Sequence, residues 1–292
     1  MNTQKDSLHH FLFENTPIRG NLVHLNDTYN AALAHQQLPL VVKKALGELM
    51  AASALLISTL KMNGAMVLQI QTKGQLKLLV VECSSDLAIR ATAKWEGEIA
   101  DDADFLTLIK EGHCIITLDT KNSEPYQGIV PIEGVSIAEM LENYMLRSQQ
   151  IDTKLWLSCD GNSAAGLLLQ KLPEQQAQDA DAWNRVTILA DTVRAQELQT
   201  ESVERILTTL FYEEDVRLFE AKAVRFYCQC TRENVGKMLQ MLGQDEVESI
   251  LSEQKKIKIN CDFCNKLYLF DAVDAATLFT ENEVINASKA IH

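Results

Sequence analysis

Four of the chain's seven cysteines fall into two close pairs, Cys228 and Cys230 as C-x-C and Cys261 and Cys264 as C-x-x-C. The C-x-x-C spacing lets two thiolates converge on one cation, the knuckle geometry of structural zinc sites. In an extended segment residues i and i+2 project to the same face, so Cys228 and Cys230 can also point at one metal. Four soft ligands suit tetrahedral zinc. None of His9, His10, His24, His35 and His113 is near in sequence, and His292 is the last residue. The economical site is therefore one Zn2+ per chain on Cys228, Cys230, Cys261 and Cys264. Roughly 65 residues barely support a core of their own, which makes such an ion part of the tail's fold. Cys83, Cys114 and Cys159 are scattered and read as packing residues, since free cysteine is most often an inert small hydrophobe. Seven is an odd number in a long chain, so a disulfide framework is excluded.

This constellation leaves three chemistries open. The first is a structural zinc staple. The second is a redox-responsive site, because zinc-bound sulfur is held as the thiolate that oxidants attack. Each pair is close enough for one cysteine to resolve a sulfenic acid on the other, which predicts the disulfides Cys228–Cys230 and Cys261–Cys264. The first, spanning one residue, is tight and easily reduced. Either bond removes two ligands, and structural zinc supplies about 10–16 kcal/mol of apparent folding energy in small peptides, so its loss unfolds the tail. The third is a metal-free thiol–disulfide oxidoreductase using Cys261 and Cys264. It is disfavoured because strands expected over Lys256–Asn260 and Lys266–Phe270 put the motif in a hairpin, not at a strand-to-helix turn.

Proline and glycine divide the chain. All five prolines lie at or before Pro173, ten of the twelve glycines precede Gly236, and residues 174–235 contain neither. The expected organisation is an α/β (or α+β) domain over 1–173, a helical linker over 174–227 and a small zinc-binding tail over 228–292. In the first part, Asn26-Asp27-Thr28 offers capping side chains and Pro39 opens a helix reaching about Lys61. Strands are expected over Ala65–Gln71, Gln75–Cys83 and Cys114–Asp119, with Leu78–Val81 covered on both faces. Ser136 to Arg147 reads as helix. In the linker, Trp183, Val186, Leu189, Ala190, Val193 and Leu198 recur at helical spacing. Residues 174–220 hold eleven acidic and four basic side chains, a net of −7. Such a helix set depends on docking its apolar stripe. In the tail, helices are expected over Arg232–Leu242 and Asp245–Leu251, with Asp271 capping a last one.

Composition bounds the function. With 47% apolar and 23% charged residues the chain is globular. Its net charge of −13 argues against a general polyanion binder. Residues 221–270 alone carry eight basic and six acidic side chains, so a zinc-dependent nucleic-acid binder stays as a rival. The most apolar run, Leu49 to Leu60, falls short of the roughly 20 residues a bilayer needs and reads as a buried helix. The N-terminal stretch has no sustained apolar region, so an unprocessed, cytoplasmic protein is expected.

The chain resembles the 33 kDa chaperonin family, the redox-regulated heat-shock holdases of bacteria. The likeness covers almost the whole chain: Arg19-Gly20, LGELMAASALLISTLK (46–61), LLVVEC (78–83), PYQGIV (125–130), YMLRSQQIDT (144–153), GLLLQKLP (166–173), LFYEEDVRLFE (210–220), FYCQCTREN (226–234) and CDFCNKLYLFD (261–271). Thr231, where serine is common, and Lys255-Lys256, where a glycine is common, depart from the pattern without touching a ligand. The resemblance implies a client-binding α/β domain, a metastable linker and a zinc redox switch. It implies a non-enzymatic chaperone, inactive when reduced and zinc-bound. Oxidation with unfolding heat would form disulfides, release zinc, unfold tail and linker, favour a homodimer and expose surface for unfolding client proteins. It implies no ATP use, and no G-x-x-x-x-G-K-[ST] loop occurs.

Overall fold

The computed structural model describes residues 6–100, 102–120, 124–173, 179 and 181–279. The chain divides into two compact units, Met1–Tyr227 and Cys228–His292. The larger begins with β1 (Ser7–Phe13), β2 (Ile18–Leu25), α1 (Asp27–Leu33), α2 (Leu40–Ile57), β3 (Gly64–Thr72), β4 (Leu76–Ser84) and β5 (Ala88–Trp95). It continues with α3 (Phe105–Leu108), β6 (Gly112–Thr120), β7 (Tyr126–Pro131), α4 (Ile137–Tyr144), β8 (Thr153–Cys159) and β9 (Ala164–Lys171). It ends with α5 (Ala182–Ala190), α6 (Ala195–Thr200), α7 (Val203–Leu210), β10 (Val216–Leu218), β11 (Lys222–Ala223) and β12 (Arg225–Phe226).

Two sheets result. One runs β10-β1-β2-β9-β8, with β11 also on β1, and the other β12-β5-β4-β3-β6-β7. Neighbours are antiparallel apart from β12 on β5, so the mixed fold is of the α+β kind. Helix α2 explains the arrangement. Every residue from Leu49 to Ile57 is buried, because the helix is apolar all round and lies between the sheets. Leu8, Val23 and Leu168 of the first sheet and Leu68, Val81 and Ile89 of the second share its core.

Strand β9 is covered on both faces almost throughout and β4 only at its centre, where Leu79, Val80 and Val81 are buried. Leu168 of β9 joins the α2 core, whereas Ala165, Leu167 and Leu169 face a second cluster. On β4 the alternate residues Leu78 and Glu82 stay half-buried. Helix α1 also differs in its cap. Asn26 makes no side-chain cap. The Asp6 carboxylate instead accepts from the backbone N–H groups of Asn26, Asp27 and Thr28, the orphan donors of a helix start.

The second cluster seats the acidic helices. Val186, Ala190, Leu198, Val203, Ile206 and Leu210 pack on Phe11, Phe13, Ile18, Leu22, Leu167 and Leu169. Gly20 belongs to this face for a steric reason: a Cβ there would fall 2.0 Å from the Phe11 ring. The stripe read from sequence is placed on this cluster, with Val186, Ala190 and Leu198 buried and Trp183, Leu189 and Val193 half-buried. Residues 174–178 and 180 of the expected linker lie outside the described residues. The expected helical character stops at Leu210. From Val216 the chain adds short strands to open sheet edges, β10 and β11 on β1 and β12 on β5.

Polar ties fix these helices. The Arg185 guanidinium donates to Glu214 at 2.6 and 3.2 Å and to Asp179 at 2.9 Å, and Trp156 Nε1 donates to Asp191 at 3.0 Å. His24 Nε2 lies 2.8 Å from the Leu198 carbonyl, which defines Nε2 as the protonated nitrogen. Its Nδ1 is buried without a partner. Burial lowers the His24 pKa below its ordinary 6.5; the Leu198 hydrogen bond, Asp6 and Glu204 oppose this, and His9 adds to it. A depressed folded-state value means the undocked state takes up the proton first, so docking is strongest above pH 6.5 and weakens as pH falls below it. We expect hydrogen-exchange protection of residues 182–210 to fall between neutral pH and the mild acid range. In His24→Gln, which keeps a donor but cannot titrate, that pH dependence is expected to shrink. An identical profile in the variant would place the sensitivity elsewhere.

Candidate metal centre

The small unit contains α8 (Arg232–Leu242), α9 (Gln244–Gln254), β13 (Ile257–Asn260), β14 (Leu267–Phe270) and a helix over 272–279. These elements fall within a few residues of those expected from sequence. Thr231 caps α8 by accepting from Asn234 N at 3.1 Å. Asp271 caps the last helix by accepting from Val273 N and Asp274 N, each at 3.0 Å. Among the described residues the buried hydrophobic core of this unit is Leu239, Val247, Ile257, Tyr268, Phe270 and Ala275.

The β13–β14 turn is a knuckle. Cys261 N donates to Lys266 O at 3.0 Å and Asn265 N to Cys261 O at 2.8 Å, with Asn265 left-handed at φ 54°. Asparagine tolerates that region better than most side chains. Across from it, Tyr268 Oη donates to the Cys230 carbonyl at 2.8 Å, which fixes the C-x-C segment against β14. Arg232 ties the ends together: it donates to Leu269 O at 2.7 Å, pairs with Asp274 at 2.8 Å and stacks 4.3 Å from the Phe270 ring centre.

This framework brings Cys228, Cys230, Cys261 and Cys264 together, with all four sulfurs within 4.8 Å of one another. The closest approaches are Cys228 to Cys261 at 3.6 Å and Cys230 to Cys264 at 3.2 Å. Sulfurs held about 2.3 Å from a tetrahedral ion are about 3.8 Å apart. The four thiols therefore fit a metal ion, and all are half-buried. Burial raises the Cys230 pKa, but contacts with Tyr268, Cys264, Cys228 and Cys261 outweigh it and hold the thiol down to about 7. Cys264 is pushed up to about 12 by burial and by its sulfur neighbours. The cluster thus stabilises one thiolate by surrounding it with S–H donors, the role a cation takes over for all four.

The other three cysteines are packed away. Burial pushes Cys114 up to about 12 and Cys159 up to about 11, and raises Cys83 further. Cys159 sits where a Cβ on Gly47 would come within 2.5 Å of its sulfur. No helix among the described residues is long and apolar enough to cross a membrane.

A mixed α/β body joined to a small tail with four thiols close enough to hold a metal ion defines the class of protein. The family model described as Hsp33 protein matches residues 6–271, and the chain belongs to that family. It is 58% identical over 290 residues to the 33 kDa chaperonin of Methylobacillus flagellatus, covering 98% of this chain and 99% of that one. It is 46% identical over 290 residues to the 33 kDa chaperonin of Chromobacterium violaceum, covering 98% of each. The crystal structure of the 33 kDa chaperonin (heat shock protein 33 homolog) from Thermotoga maritima has the same fold, with a TM-score of 0.83 at 19% identity over 96% of this chain and 99% of that one. Family membership makes this protein a chaperone.

Proposed function

We propose that this chain is a redox-switched, ATP-independent holdase of the cytoplasm, in which residues 228–292 act as a zinc switch, 174–227 as a metastable linker and 1–173 as the client-binding body. The observation that carries the reading is a four-sulfur cluster in a unit whose described core has six buried hydrophobic residues. Cys228, Cys230, Cys261 and Cys264 would hold one Zn2+, which supplies folding energy to the tail. A peroxide accepts two electrons from each cysteine pair, its O–O bond breaks and a disulfide forms, giving Cys228–Cys230 and Cys261–Cys264. Four thiolates are then lost as ligands. In a tetrahedral cluster all sulfur–sulfur edges are similar, so the 3.2 and 3.6 Å contacts across the pairs do not select the partners. Once the cluster opens, the short loops within each pair close at the lowest entropic cost.

The run β10, β11 and β12 joins α7 to Cys228, with Phe226 two residues before it, so unfolding of the tail would free the end of the segment that follows the linker helices. Those helices cover Phe11, Phe13, Leu22 and Leu167. Exposed, that surface would hold unfolding clients and favour a homodimer. Zinc, free thiols and suppression of client aggregation, followed together through peroxide treatment, test the reading. The expected result is loss of one zinc and four thiols per chain in step with gain of holdase activity, and peptide mapping of the two near-neighbour bridges. Full activity in the reduced, zinc-loaded protein, or predominant Cys228–Cys261 and Cys230–Cys264 bridges, would overturn it. Multiple turnover of a disulfide substrate would favour the oxidoreductase alternative.

A further inference from the structure

The thiol switch uses none of four stretches singled out in the sequence: Arg19-Gly20, 46–61, 125–130 and 144–153. In the fold they meet around one cavity of about 160 Å3, and nearly all of its lining comes from them and from β3 and β6. Leu56, Leu60, Met66, Ile116, Leu118 and Ile151 form its apolar wall. A dry apolar cavity of about 150 Å3 takes up a benzene ring, so the space suits one phenyl-sized group.

Its polar lining has a definite sign. The half-buried Arg19 guanidinium donates through Nε and Nη2 to Gln170 Oε1, at 3.1 and 2.6 Å, and has no carboxylate partner among the described residues. A guanidinium carries five N–H donors, so donors remain. The Tyr144 hydroxyl, buried over Gly128, has no partner at hydrogen-bond distance; Tyr126 and Gln149 are its polar neighbours. No lining residue is acidic, in a chain of net charge −13. The π-helical turn Met145–Gln149 turns Met145 and Gln149 onto this cavity, and such turns are frequent at functional sites.

We propose that this cavity is a binding site for a small apolar carboxylate, a phenyl-sized body with its carboxylate on Arg19 and the Tyr144 hydroxyl. That chemistry is shared by arylalkanoic acids and by the C-terminal residue of a peptide ending in phenylalanine. The site is separate from the thiol switch and does not depend on it.

The probe is 3-phenylpropionate, titrated calorimetrically into the reduced, full-length protein, with 3-phenylpropanamide as the uncharged match. Saturable binding of the acid is expected, with the amide at least about tenfold weaker, as expected for loss of a charge-assisted hydrogen bond. Arg19→Gln is expected to weaken the acid by a similar factor, and Tyr144→Phe by less. A peptide ending in phenylalanine that competes with the acid, while its C-terminal amide does not, assigns the site to chain ends; failure of both peptides assigns it to free acids. No saturable binding of the acid, or equal binding of acid and amide to the wild type, overturns the proposal without recourse to any variant.

Discussion

Replacing Cys261 and Cys264 together by serine is expected to strip the metal from the tail and unfold it while leaving the 1–173 body intact. Two of four ligands go, and a serine hydroxyl does not stand in for a thiolate on a soft site. What remains to hold the tail is a small core of six buried hydrophobic side chains among the described residues and the Arg232 contacts. Structural zinc supplies about 10–16 kcal/mol of apparent folding energy, as much as a whole small domain's net stability. The 1–173 body keeps the α2 core between its sheets and does not draw on that energy. Metal analysis is expected to show loss of zinc, and hydrogen exchange loss of protection over 232–279 with 7–171 retained. Full zinc occupancy in the double variant would show that the cluster is not the metal site. A metal-free tail that keeps its protection would show that the ion is not what folds it.

The four-cysteine cluster was legible because each of its halves is local, and four soft ligands in two pairs suit one ion. Cys261 and Cys264 lie in one turn, and the flanking apolar alternation is a hairpin's, so spacing marked each pair. Helix α8 was legible for the same reason, opening after Thr231 and closing at Gly243. Strand β9 was not. Its sequence AAGLLLQK is buried on both faces, so it shows no alternation, and its alanines and leucines read equally as helix. Strands β10 to β12 span three, two and two residues. Nothing so short carries a period, and the open edges of β1 and β5 impose their conformation. The Asp6 cap of α1 and the Arg19 cavity were hidden because both join residues distant in sequence.

The docked helices make the second large prediction, and the structure moves the best position for it. Val193, the natural choice from periodicity, is only half-buried, whereas Val186 is 0% exposed against Phe-rich strands. Val186→Asp places a carboxylate inside an apolar cluster, and the adjacent Arg185 is committed to Glu214 and Asp179. An unpartnered polar group in such a site costs on the order of several kcal/mol. The net charge of −7 over 174–220 adds repulsion that opposes redocking, screened by salt. Loss of exchange protection over 182–210 is therefore expected in the reduced, zinc-loaded variant, together with suppression of client aggregation that the wild type shows only after oxidation. Val193→Asp is expected to do the same more weakly. Ile188→Asp, on the 66% exposed face of the same helix, is expected to do neither. The proposed coupling requires that undocking and activity move together across this series. A Val186→Asp protein with its helices demonstrably undocked and no holdase activity would mean that the surface beneath them is not the client site, and that the thiol cluster controls the chaperone by another route.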